Sequence, residues 1–505
     1  MATENGLSLF LNLTNLRHWI VLLPLLAICY SLYIRYATSL RKVPGPFFAS
    51  FTRLWKLQKT LRGDFEWTNI ELHRRYGPIV RIAPNEVSID DPDESVSIIY
   101  GHGTKFIKSP WYQASDAPGQ HSIFTDTDIA RHARERRLVA NSFSMTSLAA
   151  MEPFISDCVQ ILESRLSDQA KEGSVVDMGH WLQCYAFDVI GEITFAKRFG
   201  FLDRGEDIGN IMSVLDGFLS YSSWMGVIPE LHGPFTKLMS TLFSDGAPLE
   251  SLRRFASNVV EKRQESNSSH PDFITQFLCT HEQKPDQFPM SEVYKMCMVL
   301  TGAGSDTTSI ALRAVIYFLL KSPDKLEKLH AELSQREMAG KLSNPVTYAE
   351  AISMPYLQAV LKEAMRLHPS TGFTLARVVP AGGVVLLKNF LPEGTIVGIN
   401  SWVAHRNTSV FGQDVECFRP ERWLESEEAT KRMDRYFLEF GIGSRTCLGK
   451  NISLMEMSKL VPQIFRTFDF DLIDQKKPWH TVNWWLVKQT GLLCRVRSRK
   501  PRVFE

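Results

Sequence analysis

No C-x-x-C pair occurs among the eight cysteines, Cys29, Cys158, Cys184, Cys279, Cys297, Cys417, Cys447 and Cys494. That scatter excludes ordinary zinc-site spacing and gives no disulfide framework, so a reducing compartment is the simpler setting for the main body. There is no excess of either charge, with 57 basic against 55 acidic side chains, and so no sign of a nucleic-acid partner. A glycine-rich dinucleotide fingerprint following a strand is also missing, so the chain carries no flavin or nicotinamide module of its own. Internal repeats, low-complexity tracts and long linkers are lacking too. By length alone the 505 residues suggest about three domains. Without linkers, one large domain is the expectation, and 44% hydrophobic content fills a large core.

Membrane signals are confined to the N-terminus. Residues 18–34 contain no Lys, Arg, Asp or Glu. Such a stretch, if helical, rises about 25 Å, slightly short of a ~30 Å hydrocarbon core but workable in the thinner endoplasmic reticulum bilayer. Arg35, Arg41 and Lys42 follow it, whereas Arg17 is the one basic side chain before it. That asymmetry predicts a single-pass anchor with Met1 in the lumen and the body in the cytosol. A cleaved signal peptide is the alternative, but no small-residue cleavage site follows. Asn12, in Asn12-Leu13-Thr14, then opens a lumenal glycosylation sequon. Asn267, Asn407 and Asn451 open sequons that fall on the cytosolic side. The expected organisation is a tail and anchor over residues 1–40, a proline hinge over 41–50 around Val43-Pro44-Gly45-Pro46, and a catalytic domain over 51–505.

The richest signal is residues 440–449, FGIGSRTCLG, where Cys447 lies between glycines with Arg445 two positions before it. A ferric haem needs a soft anionic axial ligand, and a cysteine thiolate supplies one that favours O–O cleavage. The glycines let backbone N–H groups turn toward the sulfur and hold it as thiolate. Arg445 suits a haem propionate, since guanidinium grips carboxylate through two parallel hydrogen bonds. A buried inert cysteine is the ordinary alternative, but it explains neither the glycines nor the arginine. The decapeptide, Phe440 included, resembles the cysteine-ligand signature of the haem-thiolate monooxygenases, the cytochrome P-450 family. The resemblance implies a mostly α fold with small peripheral β-sheets, haem b as cofactor, O2 as co-substrate, and electrons from NADPH through a separate cytochrome P-450 reductase.

A second constellation is Ala303-Gly304-Ser305-Asp306-Thr307-Thr308, inside an apolar, proline-free stretch over residues 291–321 that predicts one long helix. Glycine, serine and threonine are poor helix formers in mid-helix. A hydroxyl bonded back to a carbonyl is expected to open the helix locally. Reducing O2 to water plus an inserted oxygen consumes two protons, and an adjacent carboxylate and alcohol, Asp306 and Thr307, can relay them. A helix-packing glycine patch with a solvated Asp306 is the competing reading. Beside the cysteine signature the hexapeptide matches the family's oxygen-activation motif.

Glu363 and Arg366, three apart, share a helix face. Exposed pairs of this kind are worth little. In the family such a pair meets the arginine of a P-E-R motif, here Arg422, in a buried network that braces the loop to the cysteine, a structural role in haem incorporation. The resemblance also offers His132, Arg136, Arg377 and Arg445 to the propionates, His132 standing where the family carries tryptophan. Both rings donate an N–H. A solvated basic helix face is the alternative for Arg134, Arg136 and Arg137.

Short β segments are expected over residues 79–89, around Pro84-Asn85, over 384–399, around Pro392-Glu393-Gly394, and over 484–496, around Gly491. The stretches 111–124, 218–225, 371–375 and 484–486 fall where family members line the distal pocket. Overall the chain looks most like microsomal enzymes of filamentous fungi, in the group resembling pisatin demethylase. That implies hydroxylation, epoxidation or O-demethylation of a lipophilic small molecule in secondary metabolism, at the endoplasmic reticulum membrane and in contact with its lipid. A haem-thiolate isomerase or dehydratase, or a non-catalytic haem-binding protein, are the alternatives, and the Asp306–Thr307 pair argues against both.

Overall fold

The computed structural model describes residues 21–22, 24–33, 35–242, 257, 259–261, 263 and 270–499. In chain order, the elements that position the site begin with helix α1 (Phe65–Tyr76) and strands β1 (Ile79–Ala83), β2 (Glu86–Ile89) and β3 (Ile107–Lys108). Next come α2 (Ile129–Val139), α3 (Glu152–Glu172), β4 (Val175–Asp177), α4 (Met178–Phe195) and α5 (Ile211–Met225). The long α6 (Met290–Lys321) and α7 (Pro355–Leu367) precede β5 (Arg377–Val378), β6 (Val384–Leu386), β7 (Asn389–Leu391) and β8 (Ile396–Ile399). Helix α8 (Lys450–Thr467) leads into β9 (Phe468–Leu472), β10 (His480–Trp484), β11 (Leu486–Thr490) and β12 (Leu493–Ser498). The fold is mostly helical with small sheets, as expected.

The main core lies where α3, α4, α6 and α8 meet, with Leu182, Tyr185, Leu312, Val315, Met455 and Leu460 fully buried. Helix α6 has 32 residues, so it runs about 48 Å through the molecule. Gly304 lets α4 approach it: a Cβ there would meet Ile190 Cδ1 at 2.7 Å. The glycine-packing alternative is therefore right for Gly304. The helix is unbroken across residues 302–309, so the expected local opening is absent.

A five-stranded sheet of order β1-β2-β8-β5-β3 covers a second core, with β2 and β8 parallel and the other pairings antiparallel. The β1–β2 hairpin turns at Pro84-Asn85 as expected. Between β6 and β7 the chain reverses instead at Leu387-Lys388, both at positive φ (48° and 63°), the conformation a two-residue hairpin loop needs. Pro392 to Gly394 then turn β7 into β8. Trp485, at φ 68°, reverses β10 into β11, whereas β12 beyond Gly491 pairs with β4 and β9 and not with β11.

Asn12, Arg17 and part of the expected anchor at the N-terminal end, and Asn267 in mid-chain, lie outside the described residues. Among the described residues no single helix is long and apolar enough to cross a membrane, and Pro24–Tyr33 is a short apolar helix. Leu40 and Val43 are buried against the five-stranded sheet, and Pro44 O accepts from Arg81 N at 2.7 Å. The chain around the proline hinge is thus docked on the globule.

Candidate cofactor and oxygen-activation site

The loop carrying Cys447 is built by backbone closure. Cys447 N–H donates to Phe440 O (2.8 Å), and Thr446 N–H to Gly443 O (3.1 Å). Gly441 and Gly443 take positive φ, 65° and 67°, and a Cβ on Gly443 would stand 1.8 Å from Tyr100 O. No other residue type fits there. Gly449 caps α8, so Cys447 sits just before the positive end of an 18-residue helix. Surrounding protein pushes the Cys447 thiol up from its ordinary value, countered by the N–H groups of Gly449 and Lys450 and by Arg136. Lys450 Nζ lies 5.7 Å over the Phe440 ring.

Beside this loop is a cavity of about 380 Å³ lined by His132, Arg136, Arg377 and Arg445 together. They converge from α2, β5 and the cysteine loop. Among the described residues no carboxylate lines the cavity. Arg445 Nη1 is buried without a hydrogen-bond partner among the described residues. Among the described residues Arg377 donates hydrogen bonds only to the neighbouring carbonyls of Leu375 and Ala376. Burial, then Arg445, Lys108 and Arg136, press the His132 pKa down to about 3, so the ring is neutral and still owns one N–H to donate. Cations converging on one cavity, with Asp126 the carboxylate that acts on Arg445 from outside its lining, next to an exposed Cys447, fit a group with two carboxylates and a metal that accepts thiolate. Haem satisfies both. Arg134 is exposed and outside the cavity, so for it the solvated face is correct, whereas Arg137, also exposed, is at the cavity's lining.

Lys108 was not legible as part of this region. It pairs across the sheet with Arg377, is buried, and lies 4.5 and 4.2 Å over the Tyr112 and Phe124 rings. Burial, then Arg377 and Arg445, hold it well below the usual lysine range.

On α6, Thr307 Oγ1 donates to Ala303 O at 2.8 Å, the expected back-bond. Asp306 is not solvated. It is 1% exposed, accepts from Gln183 Nε2 at 2.6 Å through Oδ1, and faces Lys488 Nζ at 3.4 Å. Its Oδ2 has no partner among the described residues. Burial raises its pKa, with Lys488 opposing. Asp306 and Thr307 make no side-chain hydrogen bond with each other among the described residues. Lys488 also pairs with Asp216 at 2.5 Å, a carboxylate 49% exposed, which links Asp306 to the surface.

The Glu363 network is complete. Arg366 Nε and Nη2 reach the two Glu363 oxygens at 2.9 and 2.8 Å, and Arg422 Nε adds a third contact at 2.9 Å. Trp423 Nε1 and Arg419 N complete the shell at 2.9 and 3.0 Å. Arg366 also donates to the carbonyls of His405, Val415 and Cys417. His405 carries the bracing onward. Burial depresses its pKa to about 3, so its Nδ1–H donates to Arg366 O while Nε2 accepts from Leu438 N–H at 2.8 Å. Leu438 O in turn receives Gly441 N–H, the first turn of the cysteine loop. Sequence reading missed His405, since a lone histidine has no motif.

The four stretches expected at the distal pocket meet. Trp111, Phe124, Phe373 and Trp485 form a ring cluster with centroid separations of 5.1 to 6.0 Å, and Trp111 Nε1 donates to Ser223 O.

Comparison with known proteins agrees with this geometry. The cytochrome P-450 family model matches residues 44–495. The chain is 37% identical to a pisatin demethylase of Fusarium vanettenii over 97% of this chain and 96% of that protein. It is 36% identical to the cytochrome P-450 monooxygenase gsfF of Penicillium aethiopicum, over 94% and 96% respectively. With the monooxygenase cicH of Emericella nidulans the identity is 35% over 92% and 95%.

Proposed function

The chain belongs to the cytochrome P-450 family and is a haem-thiolate monooxygenase, and we propose that it hydroxylates, epoxidises or O-demethylates a lipophilic small molecule of secondary metabolism. What supports this finer reading most is the cation-lined cavity beside Cys447 and, on α6, an alcohol and a buried acid. The names of the relatives, a demethylase and monooxygenases, point the same way. In this reading Cys447 would ligate the haem iron, and Arg445, Arg377, Arg136 and the neutral His132 would hold the propionates. The haem, when bound, supplies reductive activation of O2 and transfer of one oxygen atom.

The chain's own task is then to place protons. Thr307 Oγ1 offers its proton to Ala303 O at rest and can redirect it into the site by a rotamer change. Asp306 takes up a proton readily because burial favours its neutral form. Lys488 and Asp216 supply the path from solvent. The aromatic cluster excludes water and gives an apolar substrate its surface.

Electrons come in this proposal from NADPH through a separate cytochrome P-450 reductase. The residues before Ser39 anchor the enzyme in the endoplasmic reticulum membrane with the catalytic domain cytosolic and Asn12 lumenal. Exposed Val21, Leu25, Leu26 and Ile28 support an anchor.

The metabolite that accumulates on gene deletion identifies the substrate. With it and saturating reductase, Thr307→Ala is expected to keep NADPH oxidation while product falls about 10- to 100-fold. Asp306→Asn is expected to slow NADPH oxidation itself. Wild-type coupling in Thr307→Ala, on a substrate without a hydroxyl of its own, overturns the assignment.

A further inference from the structure

Ser370, in the loop after α7, touches both halves of the site. Its Oγ lies 2.8 Å from Glu439 Oε1 and 3.3 Å from Thr307 O, and its N–H lies 3.3 and 3.2 Å from the two Glu439 oxygens. Glu439 immediately precedes Phe440, so it belongs to the cysteine loop. Thr307 O belongs to the turn of α6 that carries the alcohol. The Ser370 backbone is pinned: Ser370 O accepts from Val487 N at 2.9 Å, and Gly372 N–H donates to Trp485 O at 2.8 Å. The residue is 4% exposed, so water does not compete for its hydroxyl.

A serine hydroxyl owns one proton, and here it has two acceptors. Ionised Glu439 is acceptor-only and closer, so it captures that proton and Thr307 O does not receive it. Protonated Glu439 donates its own O–H to Ser370 Oγ, which frees the serine proton for Thr307 O. We propose, on the basis of the function above, that Ser370 and Glu439 are positioning residues for Thr307, and that the hydroxyl of Ser370 passes between Glu439 and the Thr307 carbonyl according to the protonation of Glu439. The turn bearing the alcohol is thereby held in one of two hydrogen-bonded arrangements.

Among the described residues, burial and the Ser370 hydrogen bonds are what act on the Glu439 carboxyl. Burial is the largest influence on it and raises its pKa to about 7, opposed by the two Ser370 bonds. Cys447 is the titratable group it acts on from its own loop. His368, on the α7 side, is neutral, pressed down to about 3 by burial, and binds Val487 O at 2.8 Å. The arrangement therefore changes within the pH range of an ordinary assay.

The test needs no substrate. Full-length holoenzyme with reductase is given NADPH alone, and hydrogen peroxide released per NADPH oxidised is measured from about pH 6 to about pH 8, across the Glu439 titration. In the wild type this ratio is expected to change by about three- to tenfold, the worth of one hydrogen bond. Ser370→Ala and Glu439→Gln are each expected to flatten the profile, and Ser370→Thr, which keeps a hydroxyl, to restore it. A flat wild-type profile, or a wild-type profile in both Ser370→Ala and Glu439→Gln, overturns the inference. If Ser370→Ala does not load haem, Glu439→Gln against Ser370→Thr decides alone. The carbon monoxide difference spectrum of each variant separates the two levels: loss of the thiolate-type spectrum in the wild type sinks the functional reading, whereas a normal spectrum with an unaltered pH profile sinks only this one.

Discussion

Arg366→Lys keeps the charge at the centre of the Glu363 network and removes its geometry. Arg366 makes five hydrogen bonds, two to Glu363 and one each to the carbonyls of His405, Val415 and Cys417. A lysine ammonium has three donors at a single point, so at least two of these acceptors lose their partner. Arg366 and Glu363 are both 0% exposed, and water does not replace the missing bonds. At ~1–3 kcal/mol for each unsatisfied buried group, the cost is about 2–6 kcal/mol. Glu363→Ala is worse, since it strands two buried guanidinium groups, Arg366 and Arg422, and breaking such a pair costs ~3–5 kcal/mol. Either is a large share of a typical total stability of ~5–15 kcal/mol. The loss travels through His405 and Leu438 into the cysteine loop, so cofactor retention falls with stability. Haem content per chain and the Soret-monitored melting midpoint are the assays, with a drop of roughly 2–6 °C expected for Arg366→Lys in a chain of 505 residues. Full haem content with a midpoint within about 1 °C of wild type would refute the reasoning.

Gly443→Ala places a Cβ 1.8 Å from Tyr100 O at a positive φ, so the variant is expected to accumulate without the thiolate-type spectrum; a normal spectrum would show that the loop relaxes freely. Glu66, 0% exposed, has its pKa raised by burial to about 7. Its folded form binds the proton more tightly than the unfolded chain, so stability falls as pH rises from about 4.5 to about 7, by about 3 kcal/mol in all. Glu66→Gln is expected to flatten that part of the pH dependence of the denaturation midpoint, and an unchanged slope would contradict it. Removing residues 1–36, short of the buried Leu40, is expected to move the protein toward the soluble fraction with its haem spectrum intact. Asn12→Gln is expected to abolish any endoglycosidase-sensitive mass shift, and a protease-protected catalytic domain in sealed microsomes would reverse the topology.

Contacts closed within a turn or two of chain were readable in advance. The cysteine loop is one, because glycines at fixed offsets from Cys447 permit few backbone paths. The Glu363–Arg366 pair is another, because helical spacing fixes it. The partners of Asp306 were not readable: Gln183 is 123 residues away and Lys488 lies on β11, so only tertiary packing makes that acid buried instead of solvated. The turn at Leu387-Lys388 was hidden for a different reason, since neither residue is a usual left-handed turn former and the twist of the paired strands imposes the conformation. His405 and Ser370 act through hydrogen bonds between distant segments, for which composition and spacing leave no trace.

The central claim is that Cys447 is the thiolate ligand of a haem held by this loop. The carbon monoxide difference spectrum of the reduced protein tests it directly. Wild type is expected to show the red-shifted Soret band of a thiolate-bound haem, and Cys447→His to lose it, with the haem absent or bound through imidazole. A thiolate-type band that persists unchanged in Cys447→His would contradict the account.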